Sequence, residues 1–248
     1  MPSEIKQRVR RKKDGSNEQA LLFIVFWASV LVEGIALYKR EYLLYGIARM
    51  FVVPVLLLRS LRSPAFRNIG LYFYIFLGLS FLADAFTAFG NYTMACIGHS
   101  FYTLGYLCLG CWLLLLKKES NLGNIIFITT ILLLLIINSI WIYAPELHKQ
   151  ILSVLIALHC ITLLLTLFFA TSVVKKVGKN SYFNLLSGIL IIIFTNLLYG
   201  VDILHFHQSR SWIDALVGLG DGAYLFLLTK SALLLAKRTL KVTTQSIS

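Results

Sequence analysis

The chain has 248 residues, of which 58% are hydrophobic and only 14% charged, against about a quarter charged in an ordinary soluble domain. Its net charge of +12 would suit a nucleic-acid binder, but the basic residues lie between apolar runs and no groove-reading motif accompanies them, which sets that class aside. So little chain remains outside the apolar runs that a separate soluble domain is excluded as well.

A bilayer-spanning helix needs about 20 predominantly apolar residues. Eight such spans are expected in chain order, over 20–37, 42–60, 69–89, 92–116, 124–144, 150–174, 182–205 and 212–236. The expected fold class is therefore all-α, one polytopic membrane domain of eight transmembrane helices over 20–236. A basic tail, 1–19, precedes it and a short tail, 237–248, follows. The basic N-terminus ahead of an apolar run resembles a signal peptide. No small-residue cleavage site closes that run and Glu33 lies inside it, so an uncleaved first helix is expected. Tight turns at 38–41 and 90–91 make spans 1 and 2, and spans 3 and 4, antiparallel neighbours. Pro54 is the only proline inside a span and is expected to kink span 2. Pro64 breaks the basic loop over 59–68. Spans 5 and 6 hold no carboxylate or lysine and read as scaffold.

The basic residues set the orientation. Lys6, Arg8, Arg10, Arg11, Lys12 and Lys13 precede span 1; Arg59, Arg62 and Arg67 follow span 2; Lys117 and Lys118 follow span 4. Lys175, Lys176 and Lys179 follow span 6, and Lys237, Arg238 and Lys241 follow span 8. The other side receives only Lys39, Arg40, Lys149 and Arg210, four residues against seventeen. The positive-inside rule then places both termini in the cytoplasm. The compact loops point to a bacterial inner membrane rather than the endoplasmic reticulum. The basic tail also suits contact with anionic membrane lipids.

Ionisable side chains inside spans carry the functional signal, because each costs about 2.5–3.5 kcal/mol at a helix centre on insertion scales. Glu33, Arg49, Asp84, His99, Asp202 and Asp221 all fall about 5–14 Å below the exoplasmic surface when depth is taken at ~1.5 Å per residue. One shared polar cavity in the outer half explains a layer drawn from so many helices. Tyr102 follows His99 by three residues and shares its helix face. A carboxylate, an imidazole and a phenol can thus converge at the hairpin of spans 3 and 4, either for proton transfer or as a hydrogen-bonded helix pair without chemistry. Arg49 can neutralise Glu33 or Asp84, or hold an anionic group such as a phosphate. His159, alone on an apolar helix, reads as a packed histidine, and Lys230 as a structural residue snorkelling to the cytoplasmic end. Cys96, Cys108, Cys111 and Cys160 all fall inside spans without zinc spacing. No metal or organic cofactor is expected.

The pattern LADAF, residues 82–86, followed by GHSFY, residues 98–102, resembles the YhhN-type lysoplasmalogenase family of eight-span membrane proteins. There an aspartate in span 3 precedes a Gly-His-x-x-Tyr motif in span 4, which maps onto Asp84, Gly98, His99 and Tyr102. SGILIIIFTN, residues 187–196, stands where the family has a small-residue start, an apolar run and a Ser-Asp pair, and Tyr224 matches a tyrosine of the last span. The chain departs from the pattern at Val53, which replaces a lysine before Pro54, and at Asn196, which replaces the second aspartate; a glutamine expected soon after the span 8 tyrosine is missing. The resemblance implies hydrolysis of the vinyl-ether bond of a lysoplasmalogen to a fatty aldehyde and a glycerophospho-head group. It implies Asp84 as acid/base, His99 as its orienting partner and Tyr102 as a hydrogen-bond donor. Arg49, Asn196, Tyr199, Asp202, Asp221 and Tyr224 are then the candidates for holding a lysophospholipid. A non-catalytic lipid-binding or signalling relative of the same fold, and a proton-coupled transporter, stand beside the hydrolase.

Overall fold

A computed structural model describes residues 2–63, 65–66, 69–89, 92–117, 148–173, 177–206 and 211–245, with the side chains of 2–16, 89, 92, 117, 148–150, 152, 153, 156, 199–206 and 239–245 outside the description. The described residues form seven helices: α1 (Pro2–Lys39), α2 (Tyr42–Leu61), α3 (Leu71–Phe89), α4 (Tyr92–Lys117), α5 (His148–Ser172), α6 (Lys179–Phe206) and α7 (Ser211–Gln245). Six of them contain stretches long and apolar enough to cross a membrane, as an integral membrane protein requires, and α5 carries a shorter apolar stretch, Ala157–Ser172. The predicted span over 124–144 lies outside the described residues. α1 begins at Pro2 and α7 runs to Gln245, so both basic flanks are helical and continuous with their spans.

Each helix packs on its chain neighbours, and α7 closes the ring on α1; α2 also touches α7 across the middle. Turn chemistry sets the first hairpin. Arg40 adopts a left-handed φ of 60°, its N–H donates to Leu37 O at 3.1 Å, and Glu41 N–H donates to Ala36 O at 2.8 Å. This paired capping of the last carbonyls is the Schellman motif, normally given to glycine. It returns the chain into α2 after two residues. α2 then continues as one helix through Pro54.

Small residues decide how closely the helices approach. A side chain at Gly34 would meet Leu219 of α7 at 3.0 Å, and one at Gly222 would overlap Val30 of α1. These contacts, with the Phe26–Phe226 ring pair, run α1 antiparallel to α7 and bring the start of one and the end of the other to the same end of the bundle. α4 and α5 run parallel instead. His99, Tyr106 and Gly110 face His159, Thr166 and Phe169 in that order, so Lys117 and His148 lie at opposite ends.

The apolar core fills the end of the bundle where α2 ends and α3 begins, built from Phe66, Ile69, Phe73, Phe76, Leu109, Leu113, Val173, Leu185 and Leu228 among others. Trp112 reaches across from α4 to donate its indole N–H to Ile69 O at 2.7 Å. Ser181 of α6 and Ser231 of α7 donate to each other's backbone carbonyls, at 2.8 and 2.7 Å. Outward faces carry Leu21, Ile24, Leu31, Ile35, Phe168, Phe183, Leu190, Phe194 and Leu197 exposed. A continuous apolar exterior of this kind suits lipid and not water.

Candidate functional site

The other end of the bundle is built around Arg49. Its Nε donates to Asp84 Oδ1 at 2.9 Å, its Nη1 to Glu33, and its Nη2 to Tyr102 Oη at 2.7 Å and to Asp221 Oδ2 at 2.8 Å. Tyr102 Oη in turn donates to Asp84 Oδ1. The guanidinium also lies over the Tyr45 ring, 5.7 Å from its centroid. Five side chains from α1, α2, α3, α4 and α7 are thus tied at one level. Glu33 and Asp84 are 1% and 2% exposed and Arg49 6%, so the pairing compensates charges that a membrane interior would otherwise exclude.

Local packing makes this convergence possible. Gly218 sits against Leu37 and Glu33, where a side chain would approach to 2.8 and 3.3 Å. With Gly34 and Gly222 it lets α1 close on α7, so that Glu33 and Asp221 reach one guanidinium. Gly98 does the same between α3 and α4: a Cβ there would come 2.5 Å from Thr87 Cγ2 and 3.1 Å from the Ala83 carbonyl. The glycine of GHSFY therefore brings Asp84 within reach of Tyr102.

Beside the cluster lies a cavity of about 730 Å³, in the range of small-molecule sites. Leu37, Tyr42, Leu43, Ala88 and Asp214 line it at the α1–α2 turn, and Tyr106, Ile192 and Tyr224 line its deep part. Arg49, Tyr102, Asp221, His99, His159 and Asn196 also line it. Glu33 and Asp84 stand behind this lining.

Of the expected set, Asp84, Tyr102, Arg49 and Asp221 come together directly. His99 joins the cavity but does not serve Asp84, whose Oδ1 is taken by Arg49 and Tyr102. Residues three apart on a helix point about 60° apart, enough to send Tyr102 to α3 and His99 toward α5. Arg49 makes four hydrogen bonds to protein groups, which makes it the hub of the cluster more than an open phosphate clamp. Asn196 lines the cavity while its Nδ2 donates to Ile192 O at 2.8 Å. Tyr224 is 1% exposed and lines the deep end. The side chains of Tyr199 and Asp202 lie outside the described residues. Lys230 is exposed, away from the site.

Three contributors carry no functional mark in the sequence. His159, expected to be merely packed, lines the cavity, and among the described residues neither ring nitrogen makes a hydrogen bond of good geometry. Tyr45 and Tyr106 also line it, and only their helical offsets of four from Arg49 and Tyr102 could have marked them. Among the described residues, no group of three or more His, Cys, Asp or Glu is placed to hold a metal ion. No family model, no curated protein and no solved structure matches this chain.

Proposed function

We propose that this chain is a lysoplasmalogenase-like membrane hydrolase of the YhhN type, with the cavity beside Arg49 as its active site. One observation carries the reading: Asp84 and Tyr102, drawn from the two motif stretches, share a hydrogen bond in a charge cluster that opens on a cavity large enough for a lysolipid head and its vinyl ether. Vinyl-ether hydrolysis needs an acid to protonate carbon, anionic groups to stabilise the oxocarbenium ion that results, and a water to add. Three carboxyl groups around one guanidinium can store a proton and present negative charge together. Asp221 and Tyr102 face the cavity; they deliver the proton, and Asp84 acts through the Tyr102 hydroxyl. Tyr224 and Asn196 shape the space for substrate. The apolar stem of the lipid lies along the helices and the head group at the α1–α2 turn.

The eight-span count belongs to the same reading. α4 and α5 are parallel neighbours, and the stretch between them includes the apolar run over 124–144, long enough to return the chain across a bilayer. With the basic residues gathered at the α1 start and α7 end, the positive-inside rule assigns that end to the cytoplasm and the cavity to the exoplasmic half. The host membrane on this reading is a bacterial inner membrane.

A lipid-binding relative without turnover is the second reading. It is favoured by the saturation of Asp84 Oδ1 within the cluster and by Asn196 at the position of the family's second aspartate. Aldehyde release from a panel of lysoplasmalogens by purified, detergent-solubilised protein tests the choice, with the saturated alkyl-ether lysolipids as blanks. Release from the alkenyl lipids alone supports the hydrolase. Binding of both series without aldehyde would establish the second reading and overturn the first.

A further inference from the structure

The histidines that line the cavity are unlike the charge cluster beside them. His159 of α5 is 5% exposed, yet among the described residues neither its Nδ1 nor its Nε2 meets a hydrogen-bond partner, and the buried Nδ1 of His99 on α4 meets none either. Asn196 approaches the His159 ring from α6 without completing a hydrogen bond of good geometry. A neutral imidazole carries one donor and one acceptor, and each buried polar atom left unmet costs about 1–3 kcal/mol. The Thr162 hydroxyl one turn on donates to the His159 backbone carbonyl, at 2.8 Å. Unmet nitrogens on a polar cavity indicate a place for water or for a polar group of the ligand.

The rings are held for that task. His99 and His159 stand perpendicular, with centroids 6.0 Å apart. The Tyr102 ring is 6.4 Å from His99 and 6.0 Å from His159. Tyr106 sets its ring edge-on to His159 at 5.2 Å, and Thr166 of α5 donates to the Tyr106 carbonyl at 3.1 Å, pinning α5 against α4. The carboxyl groups thus form an acid wall of the cavity and the imidazoles a second, with Tyr102 in contact with both.

We propose that His159, assisted by His99, holds the water consumed in the reaction and accepts its proton. This rests on the hydrolase reading above. The acid wall protonates the enol-ether carbon remote from oxygen. The water oxygen then bonds to the oxocarbenium carbon while its proton passes to the His159 imidazole. The hemiacetal hydroxyl returns a proton to the acid wall as the carbon–oxygen bond to glycerol breaks, and the imidazolium proton goes to the departing oxygen. One water is consumed, an aldehyde and an alcohol are formed, no electrons change hands, and both walls regain their starting protonation.

The test is steady-state aldehyde release by the purified full chain against His159→Ala and His159→Gln, with and without added imidazole. Removal of the base is expected to lower kcat about 100-fold with KM changed by less than about threefold. Imidazole in the buffer restores a measurable part of the alanine variant's rate. The glutamine variant, which can hold water but cannot take its proton, shows the same fall while unfolding at the parent's temperature, so a folding defect in the alanine variant does not blur the result. An active parent with a His159→Gln variant of undiminished kcat would overturn this proposal and leave the hydrolase reading standing. A loss that appears only as raised KM, with no response to imidazole, would overturn it too. A folded parent that releases no aldehyde from any alkenyl lysolipid overturns the hydrolase reading, and this proposal with it.

Discussion

The two ends of the bundle are built on opposite rules. At the closed end, Phe73, Phe76, Trp112, Leu113 and Leu228 interdigitate, with short polar links such as Trp112 to Ile69 and Ser181 to Ser231. At the other end the same helices stop filling space, enclose a cavity of about 730 Å³, and bring four charged side chains to a single point. A membrane bundle needs only the first kind of end to hold together. The second is tolerated only where charges are paired, and Arg49 pairs with three carboxyl groups at once. On the proposed reading, one end supplies stability and the other chemistry.

Removal of the hub is expected to have the largest effect. Arg49→Leu leaves Glu33, Asp84 and Asp221 facing one another, and breaking a buried pair from one side costs about 3–5 kcal/mol. Thermal unfolding in detergent is expected to collapse or the protein to fail in expression. Adding Glu33→Gln and Asp84→Asn to Arg49→Leu is expected to restore much of the loss, because only Asp221 of the three carboxyl groups then remains. An Arg49→Leu variant as stable as the parent would mean that Arg49 does not hold the cluster together.

Gly98→Ala is the next in size. The added methyl meets Thr87 Cγ2 at 2.5 Å and the Ala83 carbonyl at 3.1 Å, so α3 and α4 must part by some tenths of an ångström, at about 1–3 kcal/mol. Because Asp84 and Tyr102 sit across that contact, activity is expected to fall more steeply than stability. Equal falls would make Gly98 a packing residue only.

Trp112→Phe sharpens the comparison from the closed end. It keeps the ring against Phe73 and deletes the hydrogen bond to Ile69 O, worth about 0.5–1.5 kcal/mol. A small drop in unfolding temperature is expected with the catalytic rate of the remaining folded protein unchanged. A fall in rate would show the two ends to be coupled. The smallest effect is expected from Glu18→Gln, whose carboxylate meets Arg62 with both side chains more than half exposed. Exposed pairs of this kind seldom register, and unfolding should be indistinguishable from the parent.

Much of the site is legible in the amino-acid sequence, for a simple reason. Helical rise converts position in the chain to depth, and on that scale alone Glu33, Arg49, Asp84 and Asp221 fall in one layer; the structure ties them together. The α1–α2 and α3–α4 hairpins are legible from their short turns for the same reason. Depth does not give azimuth, so the choice among Arg49's partners stays open in the sequence, and His99 is expected beside Asp84, a place that Tyr102 takes. His159 is out of reach because its neighbours come from α4 and α6. A lone histidine on an apolar helix carries no local sign of the parallel α4–α5 contact that turns it into a cavity wall. The Arg40 turn is also illegible, since a Schellman cap is ordinarily signalled by glycine.

The most direct test of the central claim is single-turnover aldehyde release, with excess purified protein over a vinyl-ether lysolipid, comparing the parent with Asp84→Asn and Asp221→Asn. The account predicts a burst of aldehyde from the parent and a fall of about 100-fold or more in each variant, with no aldehyde from the saturated alkyl ether. A folded parent that binds the lipid and leaves its vinyl ether intact would contradict it.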